Sequence, residues 1–236
     1  MIVTAIKTPI FKEGQDLPVF LFKNLPKIKD GDVVVVTSKI VALAEGRVAE
    51  KVDDKTREKL IKAESQYAMK TKYGWLAIRD NMVMAGAGVD ESNANGKIIL
   101  LPKDSFKTAS TIRKALLRKF GLKKLGVLIT DSRMLPLRSG TTGVAMGYAG
   151  IKGQKDYRGL KDIFGRVNKV SRVSVVDSLA AAAVVVMGES AERSPIAVIS
   201  GAPVEFAERV NRHALDIDIK EDLYQPLFER IKRIKY

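Results

Sequence analysis

The feature that most constrains this chain is a short apolar run that delivers a carboxylate. Val127, Leu128 and Ile129 read as a buried strand. The run gives way to Thr130, Asp131 and Ser132, so an acid flanked by two hydroxyls is expected to emerge at the strand end. Arg138 follows, then Gly140, Gly143, Gly147 and Gly150. A carboxylate binds Mg²⁺ or Mn²⁺ and hydroxyls add weak ligands. Arginine matches a phosphate or carboxylate through paired hydrogen bonds, and glycine lets backbone approach a ligand closely. The same residues also make a strand, an aspartate-led turn and a glycine-rich hairpin that hold no ligand.

Three further stretches share this pattern. The run VVVV within Asp32 to Thr37 reads as a buried strand after the turn Lys29-Asp30-Gly31, and it leads into Thr37, Ser38 and Lys39. Lys39 is either a phosphate contact or a lysine lying along apolar surface. Gly86 to Asp104 is too polar for core and too rich in glycine for a helix, and ends in a strand at Ile98 to Leu101. Asp90 and Glu91 are candidate metal ligands there and Asn93 a candidate orienting amide; a solvated loop is the alternative. Asp177 is placed to cap an Ala- and Val-rich helix, Ser178 to Met187, stopped by Gly188. Glu189 to Ser194 then precedes a strand at Ile196 to Ser200. Carboxylates and basic residues without His or Cys fit a nucleotide and a hard cation better than a soft metal. Neither GxxxxGK[ST] nor a helix-opening GxGxxG is present.

The other elements are simpler. Ile2 to Ile6 reads as an edge strand, Asp54 to about Lys72 as a charged amphipathic helix, and Trp75–Ile78 with Met82–Met84 as a hairpin turning at Asp80-Asn81. Thr108 to Phe120 reads as a helix capped by Thr108 or Ser110 and ended by Gly121. Gly153 to Arg166 is a binding loop or a set of turn ion pairs, Val173 to Val176 a strand, and Glu221 to Lys235 a basic terminal helix. The one histidine, His213, reads as a surface residue. With no cysteine there is no disulfide framework or thiolate metal site. No apolar run approaches the roughly 20 residues that span a bilayer, no signal peptide opens the chain, and a cytoplasmic protein is expected. The 236 residues suffice for one large domain. The net charge of +14 attracts nucleotides, nucleic acid or polycarboxylates. Lys114, Arg118, Lys119, Lys123 and Lys124, and the tail Arg230, Lys232, Arg233 and Lys235, sit at helical spacing, as solvated helix faces do.

In these motifs the sequence resembles the coenzyme F420 gamma-L-glutamyl ligases, which add glutamate to a deazaflavin coenzyme using GTP. The stretches that carry it are VVVVTSKIVALAEGRV (33–48), YGWLAIRDNMVMAGAGVDESNANGKIILLPKD (73–104), GVLITDSRMLPLRSGTTGVAMGYAG (126–150), DYRGLKDIFGR (156–166) and DSLAAAAVVVMGESAERSPIAVISG (177–201). The resemblance implies an α+β fold with mixed and antiparallel sheets, a two-lobed single unit over residues 1–236, and an intertwined homodimer. It implies two divalent ions, Mg²⁺ or Mn²⁺, with Asp90 and Asp131 as shared ligands and Ser132 and Glu189 serving the second ion. A supporting K⁺ is left open. Nucleotide contacts are implied at Ser38, Lys39 and Asn93 and along Met187 to Ser194, which includes Gly188 and Ser190, and less directly at Thr8, Pro9, Ile10 and Phe11. Asp90, Asp131 and Arg138 are the expected catalytic set.

The implied reaction is attack of a substrate carboxylate on the terminal phosphate of GTP, then displacement of phosphate by the amine of L-glutamate. The chain departs from the family pattern at two places. Where the family commonly has GRPWR, this chain has Met134-Leu135-Pro136-Leu137-Arg138, and a family lysine four residues after Lys39 is Leu43. The expected acceptor is the deazaflavin precursor, and these departures make a folate the alternative. A basic nucleic-acid-binding module and a non-catalytic dimer that kept the fold are the readings from other classes.

Overall fold

Val33, Val34, Val35 and Val36 are all fully buried, which a β-branched run requires when both faces of its strand are covered. The computed structural model describes residues 1–50 and 52–228. Its strands are β1 (Ile2–Ile6), β2 (Asp32–Thr37), β3 (Val48–Glu50), β4 (Tyr67–Thr71), β5 (Gly74–Arg79), β6 (Met82–Ala85), β7 (Lys97–Ile99), β8 (Leu125–Met134), β9 (Thr141–Ala149), β10 (Gln154–Asp156), β11 (Arg172–Ser174) and β12 (Ile196–Ser200). Its helices are α1 (Leu17–Asn24), α2 (Ser38–Ala44), α3 (Asp54–Ala63), α4 (Ser105–Phe120), α5 (Val175–Met187) and α6 (Gln225–Phe228). The architecture is α+β with mixed and antiparallel sheets, as expected.

The main sheet has the order β1-β12-β2-β8-β9. Only β2 and β8 run parallel; every other neighbouring pair is antiparallel. The two faces of β2 feed different cores. Val34 and Val36 pack with Leu21 of α1, Val41 of α2 and Ile112 and Leu116 of α4. Val33 and Val35 pack with Leu179, Ala180 and Ala183 of α5. The sheet is thus covered by three helices on one side and one on the other. A smaller cluster around Ile61, Ala77, Val89 and Ile98 ties α3 to the three-stranded sheet β4-β5-β6 and to β7. There Glu64 joins Arg47 at 2.5 Å and Arg79 at 2.6 Å.

Several boundaries differ from the sequence-based expectation. The helix from Asp54 ends at Ala63, not near Lys72, because Tyr67–Thr71 pairs with β5 as a strand. The Asp80-Asn81 hairpin forms, with both residues at positive φ, as a two-residue turn of matching twist needs. Helix α4 starts three residues early, at Ser105, because Asp104 caps it by accepting from Lys107 N–H at 3.0 Å; Gly121 ends it at φ 66°. Helix α5 starts at Val175 with Ser174 as its cap. Asp177, expected as that cap, instead accepts from Ala145 N–H of β9 at 2.9 Å. The strand expected at Val173 to Val176 is only Arg172–Ser174. Most of the expected terminal helix, with Arg230, Lys232, Arg233 and Lys235, lies outside the described residues. Among the described residues no helix is long and apolar enough to cross a membrane.

Candidate functional site

The topology gathers the polar motifs at one end of the main sheet. Because β2 and β8 are parallel, with Thr37 opposite Thr130, their carboxyl ends place Ser38 and Lys39 beside Asp131 and Ser132. Antiparallel β12 begins at that same end, with Ile196 opposite Val36, so the segment between α5 and β12 lies there too. So does the end of β1, with Ile6 opposite Ile196, and the chain beyond it is held by Thr8 N–H donating to Arg193 C=O at 2.9 Å.

Asp131 does not stand at a strand end. β8 continues through it to Met134, paired with β9. Between Ile129 and Thr130 the register shifts, Ile129 facing Gly147 and Thr130 facing Ala145, so Met146 is an extra residue on β9. Such bulges commonly flank active sites and re-aim side chains. Along β8 the side chains alternate. Val127 and Ile129 belong to the core under α1, α2 and α4, and Leu128 to the core under α5. The same alternation turns Asp131 and Arg133 toward α2 and Ser132 toward the end of α5.

The contacts that result form a closed circuit. Lys39 Nζ donates to Asp90 Oδ2 at 2.7 Å, Ser92 C=O at 2.7 Å and Ser92 Oγ at 2.8 Å. Its neighbour Ser38, buried, donates its hydroxyl to Asp131 Oδ1 at 2.9 Å. Next along β8, the Ser132 hydroxyl donates to Glu189 Oε1. Ser190 C=O then accepts from Asn93 Nδ2 at 3.1 Å, and Asn93 returns the path to Ser92 and Asp90. The backbone of Asp90 is pinned by two hydrogen bonds to Ile99, at 3.0 and 2.8 Å. Burial alone would raise the Asp90 carboxyl pKa, but hydrogen bonds from Lys39 and Ser92 outweigh it and hold the group below its ordinary value.

Ser38, Lys39, Asp90, Asn93, Asp131, Ser132, Glu189 and Ser190 are thus brought together. Gly188 ends α5 at φ 80°, and a side chain there would strike Glu192. Met187 is buried in the core under α5, so it supports the segment from behind. Ser194 lies between that segment and β12 and donates to Glu192 C=O at 3.4 Å. Glu91 is turned away to Arg57 of α3, at 2.6 Å. Arg138 is exposed on the β8–β9 turn and makes no side-chain hydrogen bond among the described residues. The guanidinium in contact with Asp131 belongs to Arg133, buried and bonded to Asp131 Oδ2. Sequence reading passed over it by ending the strand at Ile129; the alternation of β8 is the signal that finds it. Leu43 packs between two apolar clusters rather than facing the circuit.

Among the described residues no group of three or more His, Cys, Asp or Glu is placed to hold a metal by itself. The donors that meet, carboxylates and hydroxyls, are hard oxygens suited to Mg²⁺ or Mn²⁺. Mg²⁺ in particular takes one or two carboxylates and completes its shell with waters and substrate phosphates. The donor set therefore fits a cation that arrives with a nucleotide.

A family model described as F420-0:Gamma-glutamyl ligase matches residues 5–201, a span containing every residue of the circuit. The chain is 32% identical over 235 residues to the coenzyme F420:L-glutamate ligase of Methanocaldococcus jannaschii, covering 89% of this chain and 91% of that protein. It is 40% identical over 171 residues to the protein so named in Methanococcus maripaludis strain C6, covering 72% and 66%, and 33% identical over 214 residues to the one in Archaeoglobus fulgidus, covering 83% and 85%. A match of this extent, enclosing the convergent site, means that the chain belongs to the F420-0:gamma-glutamyl ligase family.

Proposed function

We propose that this chain is a GTP- and divalent-metal-dependent ligase that joins L-glutamate in amide linkage to the deazaflavin coenzyme F420 precursor, through an acyl phosphate. The observation that carries the reading is the closed circuit from Lys39 and Asp90 through Ser38, Asp131, Ser132 and Glu189 to Ser190 and Asn93. It joins four separate motifs, each with hard-oxygen or phosphate-binding groups, at one sheet end. A carboxylate oxygen of the acceptor attacks the terminal phosphorus of GTP, and GDP leaves. The glutamate amine then attacks the acyl carbon, phosphate departs, and the nitrogen loses a proton.

In this scheme Asp90 and Asp131 would hold divalent cations, with Ser132 and Glu189 as the added donors for the second of the two ions the resemblance implies; the chemistry of such ions is to offset charge on the phosphates during transfer. Lys39 exchanges Asp90 for a phosphate oxygen as the nucleotide enters. Asn93, fixed against Ser190, orients the nucleotide against the segment after α5. The charge of +14 draws anionic substrates toward the site, which replaces the nucleic-acid reading of that charge. An intertwined homodimer in the cytoplasm belongs to the same reading.

A folate acceptor is the second reading. It is favoured by the β8–β9 turn, where Met134, Leu135 and Leu137 are exposed at the place of the family's usual Gly-Arg and aromatic. The test is phosphate release with GTP, L-glutamate and Mg²⁺ or Mn²⁺, offering either the deazaflavin precursor or a folate monoglutamate, with products weighed by mass spectrometry. A product heavier by one glutamate, absent with Asp90→Asn and Asp131→Asn, supports the ligase and names the acceptor. No nucleotide binding at all would overturn it.

A further inference from the structure

Arg133 is a buried cation in direct contact with Asp131. It is only 7% exposed. Its Nη1 donates to Asp131 Oδ2 and, at 2.9 Å, to Ser132 C=O. Its Nη2 meets only the Met146 thioether, at 3.2 Å, on the bulged residue of β9. Its Nε is buried with no partner. A buried guanidinium with an orphaned donor destabilises a fold compared with an apolar side chain of the same length. Packing therefore does not account for Arg133; the charge it keeps beside Asp131 does.

The other cation of the site differs in kind. Lys39 meets Asp90 at the end of a flexible stem and can withdraw to a phosphate. Arg133 is buried, with its guanidinium held by Asp131 and Ser132 C=O of β8 and Met146 of β9. With Ser38 on Asp131 Oδ1 and Arg133 on Oδ2, both oxygens of this carboxylate are engaged, one of them by a fixed positive charge. A second dication drawing on Asp131, Ser132 and Glu189 would face that charge at close range.

We infer that the Arg133 guanidinium permanently replaces one of the two divalent ions, so that the nucleotide-bound site takes one Mg²⁺ or Mn²⁺ per chain. This rests on the ligase reading above and deepens it. The second charge needed during phosphoryl transfer is then supplied by the protein, and the metal requirement of the chain is halved.

The test counts bound Mn²⁺ by equilibrium dialysis and electron paramagnetic resonance on the full chain, saturated with the β,γ-imido analogue of GTP. Three proteins are compared: wild type, Arg133→Met and Arg133→Lys. About one Mn²⁺ per chain is expected in the wild type and in Arg133→Lys, and about two in Arg133→Met. The Met variant is expected to melt no lower than the wild type, since it removes an unsatisfied buried donor. Two ions in the wild type overturn the inference whatever the variants do. So does a single ion in a folded Arg133→Met. No ion in any of the three overturns the metal-dependent reading itself, and the inference with it.

Discussion

Gly143 offers a way to move the site without touching its chemistry. It stands opposite Ser132 in the β8–β9 ladder, with α5 packed on the face behind it. A methyl group built on Gly143 falls 2.3 Å from Ala180 C=O oxygen and 2.7 Å from Val184 Cγ2, both on α5. Ordinary contact begins at 3.4 Å, so α5 must withdraw from β9 by about 1 Å. The obstacle is backbone, not the far end of a side chain, so no rotamer change relieves it. Overpacking of this kind costs about 1–3 kcal/mol. For a chain of this size that lowers Tm by about 2–12 °C. The larger effect is expected on turnover. Helix α5 ends at Gly188 and delivers Glu189 to the Ser132 hydroxyl, and a misplacement of about 1 Å in such a site costs about 10²-fold in rate. Gly121→Ala is the control. Its φ is positive, 66°, unlike that of Gly143, and nothing lies within 4 Å, so it loses about 1 kcal/mol of stability through backbone strain alone and leaves α5 in place. Calorimetry and product formation at 25 °C, well below either transition, separate the two. Turnover retained in Gly143→Ala, or lost equally in Gly121→Ala, would refute the argument that packing of α5 on β9 positions Glu189.

Three further outcomes are expected. Asp131→Asn leaves Arg133 buried without a countercharge and should destabilise by about 3–5 kcal/mol, whereas Arg133→Met should be near neutral; urea unfolding of the two variants checks the asymmetry. Because Lys39 and Ser92 hold the Asp90 carboxyl below its ordinary value, their stabilisation is complete above the unfolded pKa of about 4 and is lost as pH falls through the lower folded value. Lys39→Met should therefore lower the urea midpoint at pH 7, and its curve should converge with the wild type as pH falls through the lowered folded value of Asp90. Glu64→Leu strips Arg47 and Arg79 of their shared carboxylate, and a loss of about 3–5 kcal/mol is expected, with amide hydrogen exchange rising first in β3, β5 and β7.

The contrast between Arg138 and Arg133 marks how far the chain could be read before its structure was known. Local patterns carried most of the frame. Four valines could only be a strand covered on both sides, an Asp-Asn pair at positive φ closed the β5–β6 hairpin, and Gly121 ended α4. The site residues on three motifs were legible because short polar segments following buried runs must emerge where the runs end. What failed was anything decided by a partner distant in sequence. Tyr67 to Thr71 suits a helix as well as a strand, since Ala68 and Met69 fit both periods, and only pairing with β5 settles it. Asp104 beats Thr108 as the cap of α4 because its carboxylate accepts from Lys107 N–H, a choice that apolar periodicity does not register. β8 was cut short for the same reason: its apolar run stops at Ile129, yet β9 keeps pairing with it for five more residues, to Met134. Those five residues are polar or exposed because they build the site instead of filling the core. Arg138, beside glycines and free to point anywhere, looked like the ligand-binding arginine. Arg133 sits two residues beyond Asp131, the spacing that places both side chains on one face of a strand. Once the strand is allowed to run on, Arg133 and not the exposed Arg138 is the guanidinium in contact with Asp131.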